Sequence, residues 1–265
     1  MMTLKAVLFD LDDTLLWDDR SVEEAFAATC AEAAKQVNGL NPEELEASVR
    51  KEARSLYESF DTFPFTKMIG INPFEGLWAN FTQGEDENFR KLEKLAPGYR
   101  TESWTRGLAG LGIEDRDLGY KLGELFAAER RSRPYVYEET FRVLDELKGN
   151  YKLLLLTNGS PDLQKEKLAG VPEIAAYFDH IVISGEFGQG KPAAAIFNYA
   201  LGLLEINAEE GIMIGDKLTT DILGSGSIGM RNIWINHHGL QSGDEIVPAY
   251  EVSRLQEILP IISNG

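Results

Sequence analysis

The sequence predicts an α/β fold: one parallel sheet covered by helices on both faces, with a long all-helical insertion directly after its first strand. Three observations carry this prediction. A short apolar run, "KAVLFD" (5–10), opens the chain and reads as a buried strand. Four further apolar runs, "YKLLLLT" (151–157), "HIVIS" (180–184), "GIMIG" (211–215) and "NIWIN" (232–236), occupy the second half with helical segments between them. That alternation is the pattern of a parallel sheet. From about Ser21 to Arg131 the periodicity is helical instead. The first strand has no partner nearby in sequence, so the economical arrangement joins it to the later sheet and leaves the helical stretch as an insertion.

The elements follow in order. "SVEEAFAATCAEAAKQV" (21–37) begins with Ser21 and Glu24 at capping-box spacing. "NPEELEASVRKEARSLYESF" (41–60) places Asn41 as N-cap and Pro42 in the first turn. "FDTFPFTKMIGINPFEGLWANF" (60–81) is crowded with aromatics, carries two prolines and reads as irregular structure packed on helices. The acidic "EDE" (85–87) reads as a solvated loop or a helix start, and "DRDLGYKLGELFAAERR" (115–131) as a further amphipathic helix. Past "RSRPYVY" (131–137), a helix from Glu138 to Lys148 leads through Gly149 into the second strand. "PAAAIFNYALGLL" (192–204) and "TTDILGSGSIG" (219–229) are the helical segments between the later strands. Neither internal repeats nor low-complexity segments interrupt this reading.

Composition narrows the function classes. The chain has 265 residues, 43% hydrophobic and 26% charged, long enough for a large core. No apolar run approaches the roughly 20 residues of a membrane span, and the N-terminus lacks the apolar region of a signal peptide. Its single cysteine, Cys30, cannot form an internal disulfide, and three histidines offer little for a zinc site. A soluble, cytoplasmic protein is expected. With 43 acidic against 26 basic residues the net charge is −17, which disfavours nucleic-acid binding. An anionic substrate would need local positive charge, most economically a divalent metal and a few placed cations.

In open α/β sheets ligands bind beyond the carboxyl ends of the strands. The first strand ends in Asp10-Leu11-Asp12-Asp13-Thr14, the second in Thr157-Asn158-Gly159; the third leads into a glycine-rich loop, "SGEFGQGKP", that carries Lys191, and the fourth ends in Gly215-Asp216 with Asp221 five residues on. Clustered carboxylates resist burial unless a cation or a solvated turn accompanies them. Together the strand ends supply the composition of a magnesium-assisted phosphoryl-transfer site. In such chemistry one carboxylate attacks phosphorus and forms an acyl phosphate. A second protonates the leaving alkoxide and then deprotonates water. A hydroxyl and a lysine bind and neutralise the phosphoryl group.

The set "DLDDT" (10–14), "LLTNG" (155–159), Lys191 and "GDKLTTD" (215–221) resembles the four motifs of the haloacid dehalogenase-like (HAD) hydrolase superfamily, and the resemblance spans the chain. It implies a Rossmann-like catalytic core formed by residues 1–16 plus 136–265 and a helical cap domain formed by residues 17–135, with hinges near 15–19 and 130–137. Asp at position 12 resembles the phosphatase branch; dehalogenase members carry another residue there and have no metal requirement. The resemblance implies Asp10 as nucleophile and Asp12 as general acid/base, with Thr157, Asn158 and Lys191 binding substrate phosphate. It implies Mg2+ held by Asp10, the backbone carbonyl of Asp12 and Asp216, with Thr14 and Asp221 in support. "GDKLTTDI" is similar to the subgroup of pyrimidine nucleotidases and N-acylneuraminate-9-phosphatases. Lys217 stands where many relatives have a smaller or neutral residue.

The expected activity is Mg2+-dependent hydrolysis of a small phosphorylated metabolite, with no nucleic-acid or membrane partner. A phosphomutase shares these motifs, and a phospho-accepting regulatory protein shares the acidic residues, threonine, lysine and metal. Receiver domains of that kind are about half this length, and Asp12 would hydrolyse the phosphoaspartate that signalling must preserve. Substrate identity and oligomeric state are not readable. His237 and His238 are expected to be solvated, Cys30 to be a small packing residue, and Trp17, Trp78 and Trp104 to be core or cap-pocket material.

Overall fold

A computed structural model describes residues 3–243 and 245–264. The chain forms two compact units: one built from the chain up to Trp17, Val136–Gly159 and the chain from Val171 onward, the other from Asp18–Tyr135 and Ser160–Gly170.

The first unit holds a six-stranded sheet of β1 (Ala6–Phe9), β2 (Lys152–Thr157), β3 (His180–Ile183), β4 (Gly211–Gly215), β5 (Arg231–Ile235) and β6 (Tyr250–Val252). Its order is β3-β2-β1-β4-β5-β6, with every neighbouring pair parallel. β1 therefore sits between β2 and β4, with Leu8 opposite Leu154 on one side and Met213 on the other. All four residues of β1 and all five of β4 are buried, as expected of strands covered on both faces. Leu8, Leu154, Leu156 and Met213 pack against the helix Ala194–Leu204 through Ile196, Phe197 and Ala200. From β1 the chain first builds outward through β2 and β3, then crosses to β4, β5 and β6. The order reverses between β1 and β4, and the crevice beyond the carboxyl ends of those two strands is where such sheets bind ligands.

The second unit is helical: α1 (Asp18–Gln36), α2 (Pro42–Glu58), α3 (Phe63–Ile69), α4 (Pro73–Gly76), α5 (Glu87–Ala109) and α6 (Arg116–Arg131). A further helix, α7 (Thr140–Leu147), belongs to the sheet unit, while α8 (Pro161–Gly170) packs with the helical one through Leu163. The helical core centres on Phe26, Trp104 and Phe126, whose ring centroids lie 4.5–5.9 Å apart. Asn41 caps α2 as its sequence predicts, accepting from the Glu43 and Glu44 amides. The expected capping box at Ser21 and Glu24 does not form. α1 begins a turn earlier, with Asp18 and Asp19 in its first turn where the helix dipole favours them, and Glu24 pairs with Arg20 at 2.8 Å and with the Tyr135 hydroxyl. The aromatic stretch 60–81 is also more ordered than expected. It folds into α3 and α4, the latter closed by a capping box between Asn72 and Glu75. No helix among the described residues is long and apolar enough to cross a membrane.

Candidate active site

Asp10 directly follows β1, and its amide donates to the Ile214 carbonyl of β4 at 2.9 Å. The next residues turn back sharply: the amides of Leu15 and Leu16 both donate to the Leu11 carbonyl at 2.9 Å, and Thr14 does so at 3.4 Å. Asp13 lies inside this turn with φ of 54°, the left-handed conformation that Asp tolerates better than most residues. Asp10 is buried, while Asp12 and Asp13 are half-buried.

Lys191 is 4% exposed and enters the same space from the loop after β3. Its Nζ lies 2.8 Å from Asp10 Oδ1 and 2.6 Å from Asp221 Oδ1. Asn158 determines where that lysine stands: its Nδ2 donates to the Lys191 carbonyl at 2.9 Å, and its Oδ1 accepts from the Lys191 amide at 2.8 Å. Thr157 is buried at the end of β2. Gly159 then links two loops, its amide donating to Ser184 Oγ at 2.9 Å.

Beyond β4, Asp216 is half-buried and Asp221 fully buried. Asp221 sits in a π-helical turn, Leu218–Ile222, and accepts the Lys217 amide on Oδ2 at 3.1 Å. Thr14 Oγ1 approaches Asp216 Oδ1 at 3.5 Å, a long contact. The Lys217 side chain is exposed. Gly215 has a steric reason to be glycine, since a Cβ there would stand 2.4 Å from Asp221 Cγ.

Asp10, Asp216 and Asp221 each bring a carboxylate oxygen within 4.8 Å of the others. Three carboxylates around one ammonium leave negative charge in excess. Burial raises Asp10 most; Lys191 opposes this and Asp221 adds to it, so the carboxyl is pushed up to about 6. Burial, then Asp10 and Asp221, hold the Asp216 carboxyl well above the usual carboxylate range. Burial alone would lower the Lys191 ammonium, but Asp10 and Asp221 outweigh it and keep it charged. An all-oxygen donor set of this charge suits a hard divalent cation. Magnesium is bound by just such carboxylate oxygens, usually one or two of them with water and substrate phosphate completing the shell. Asp221 already has both oxygens engaged, so Asp10 and Asp216 are the members better placed to coordinate.

The structure thus joins Asp10 and Asp221 through Lys191 by direct contacts and brings Asp216 into the same carboxylate group; Asp12 and Thr14 lie in the turn after β1, Thr157 at the end of β2 and Asn158 just after it. Asn158 carries a duty the sequence did not announce, clamping the Lys191 backbone. Two more residues were missed. Trp234 on β5 donates its indole N–H to the Asp216 carbonyl at 2.7 Å, and His237, expected to be solvated, holds the Asp13 carbonyl at 2.9 Å. His237 is marked in the sequence only by following the fifth strand on the expected active face, and Trp234 by nothing beyond its place in an apolar run, because both bonds go to backbone carbonyls.

A family model for haloacid dehalogenase-like hydrolases matches residues 4–229. The phosphoserine phosphatase of Thermus thermophilus is 32% identical over 256 residues, covering 96% of this chain and 98% of that protein. The N-acylneuraminate-9-phosphatase of Homo sapiens is 32% identical over 182 residues, covering 67% of this chain and 73% of its own. Among solved structures, that of YfnB from Bacillus subtilis aligns over 98% of this chain and 99% of its own, at 21% identity and a TM-score of 0.68, a likeness of fold.

Proposed function

Because the chain belongs to the haloacid dehalogenase-like hydrolases, we propose that it is a Mg2+-dependent phosphatase that hydrolyses a small phosphorylated metabolite through an aspartyl phosphate on Asp10. The observation that carries this reading is the buried Lys191 ammonium held between Asp10 and Asp221, with Asp216 beside them, at the point where the strand order reverses. Such a site has one fixed cation, an excess of carboxylate oxygens and room in its charge balance for a divalent ion and a phosphoryl group. Relatives matching most of this chain are phosphatases of small metabolites by name, which supports the same class here.

Asp10 is the nucleophile, its carboxylate fixed in rotation by the bond to Lys191. It attacks phosphorus as the bond to the leaving oxygen breaks, and Asp12 gives its proton to the departing alkoxide. Asp12 then takes a proton from water, which attacks the acyl phosphate and releases inorganic phosphate and free Asp10. Thr157 and Lys191 bind the phosphoryl oxygens, and Asn158 acts through its hold on the Lys191 backbone. Asp10, the Asp12 carbonyl and Asp216 would hold the cation, with Asp221 and Thr14 steadying Lys191 and Asp216. The cation, when bound, neutralises phosphoryl charge and aligns the group for in-line displacement. The helical unit is assigned the part of a cap, selecting the substrate and excluding bulk water.

The test is phosphate release from a broad panel of phosphorylated metabolites, with Mg2+ and with a chelator, for the wild-type chain and Asp10→Ala. Turnover that needs Mg2+ and vanishes in the variant is the expected result. Turnover that survives in Asp10→Ala would sink the mechanism, and the absence of phosphate release from every compound would sink the activity.

A further inference from the structure

The Asp10–Leu16 turn needs its shape held from outside, because Asp13 occupies a left-handed conformation and most of the turn's internal bonds converge on the single carbonyl of Leu11. Two other carbonyls in the turn are engaged by elements of the same unit. The Leu15 carbonyl accepts from the Tyr137 amide at 3.2 Å and from Thr140 Oγ1 at 2.9 Å. The Asp13 carbonyl is held by His237 Nε2 at 2.9 Å. A carbonyl can only accept, so this bond requires a proton on Nε2. Both the imidazolium and the neutral Nε2–H tautomer satisfy that requirement.

The imidazole is itself fixed. Its ring stacks on Tyr137 with centroids 4.5 Å apart and planes 10° apart, and Tyr137 stacks in turn on Trp17 at 5.2 Å and 15°. Asn236, 6% exposed, secures the loop that carries the histidine. Its side chain donates to the Leu240 carbonyl at 2.8 Å and to Glu251 Oε1 at 2.6 Å and accepts the Leu240 amide at 2.9 Å, while its own amide donates to Val252 at 2.8 Å. The result is a rigid donor built on β5 and aimed at the backbone of the turn after β1.

We propose that His237 is a positioning residue: with Tyr137 and Trp17 stacked behind it, it holds the Asp13 carbonyl and so fixes the turn that aims Asp10 and Asp12. The His237 bond directly opposes rotation of the Asp13–Thr14 peptide, whose carbonyl it holds; letting that peptide turn would change the Asp13 dihedrals and with them the path of the turn that carries Asp12. The catalytic consequence rests on the phosphatase reading above; the mechanical one does not.

The experiment compares wild type with His237→Phe, which keeps a stacking ring without a donor, and His237→Gln, which restores an N–H of similar reach. Hydrogen–deuterium exchange is followed at the Thr14, Leu15 and Leu16 amides, alongside Tm. In His237→Phe these amides should exchange roughly five- to tenfold faster, the consequence of losing one hydrogen bond, with Tm near wild type and His237→Gln in between. With p-nitrophenyl phosphate and Mg2+, kcat should fall roughly 10- to 100-fold in His237→Phe, the usual effect of removing an orienting partner. KM should stay within about twofold, and His237→Gln should recover part of kcat. Unchanged exchange in His237→Phe overturns the proposal whatever the kinetics show. Faster exchange with unchanged kcat overturns the dependence of the catalytic turn on it. A wild-type chain with no phosphatase activity defeats the function proposed above, and the exchange comparison still decides whether His237 holds the turn.

Discussion

Removing the Lys191 ammonium leaves Asp10 and Asp221 facing a buried space with no cation between them, because Nζ is the group within 2.8 Å of one and 2.6 Å of the other. Breaking a buried pair from one side costs about 3–5 kcal/mol. Lys191→Met should therefore destabilise the sheet unit by that order in urea denaturation and lower turnover at least 100-fold, the effect of losing one transition-state donor. Asp10 gives the opposite sign. Its folded-state carboxyl is pushed up to about 6 from 3.8, so ionising it costs more in the folded chain than in the unfolded one. That penalty is fully present above about pH 6, fades as pH falls toward 3.8 and is absent below it. In chelator-treated protein Asp10→Asn should be more stable than wild type above pH 6, with the difference shrinking at pH 4; a difference independent of pH would refute this. The identity of these residues was legible because each stands just past an apolar run. Their couplings were not, since Asn158 on the Lys191 backbone, Trp234 on the Asp216 carbonyl and His237 on the Asp13 carbonyl are bonds to backbone atoms of separate elements, which no side-chain pattern marks.

Strands β1, β2 and β4 were readable as elements because burial on both faces makes them almost wholly apolar. β6 was not: it has three residues, two of them exposed, at the edge of the sheet. The start of α1 was misread for a different reason. Asp18 looks like part of a polar hinge, yet it is held inside the helical unit by Arg130 at 2.7 Å and Lys167 at 3.6 Å, and Lys167 also reaches Glu75 at 2.9 Å. Burial would raise the Asp18 carboxyl, but Lys167 and Arg130 outweigh it and hold it below the usual range. The network therefore stabilises above pH 3.8, the unfolded value, and its contribution is lost as pH falls below that. Asp18→Ala should destabilise the helical unit by about 3–5 kcal/mol at pH 7, read as an earlier urea transition, and progressively less as pH falls below 3.8. Cys30 tests the packing of α1 from the other side. Burial pushes its thiol up to about 12, so at pH 8 it should react with a disulfide reagent at the rate of unfolding and quickly only in denaturant; immediate reaction in the folded chain would contradict the buried placement.

For the whole molecule the governing quantity is a net charge of −17 on a protein proposed to bind an anion. The long-range field repels such a substrate, so attraction must come from Lys191 and a bound cation at short range. The sequence made this requirement visible through composition and strand-end residues. It left the substrate unspecified, because side chains that read the rest of a metabolite follow helix packing and loop geometry rather than a motif. The phosphoserine and N-acylneuraminate-9-phosphate enzymes each match most of this chain, so family membership alone does not choose between such substrates. The cation requirement is testable without one. A ligand bound only by the folded state at 100 times its Kd adds about 2.7 kcal/mol, which in a chain of this size raises Tm by several degrees. Mg2+ should raise the Tm of the sheet unit by that order in wild type. Asp216→Asn should abolish most of the gain while leaving the diffuse charge of the surface nearly unchanged. If both proteins respond equally, Mg2+ is screening the overall negative charge rather than occupying the carboxylates between β1 and β4, and the metal site drawn from Asp10 and Asp216 is wrong.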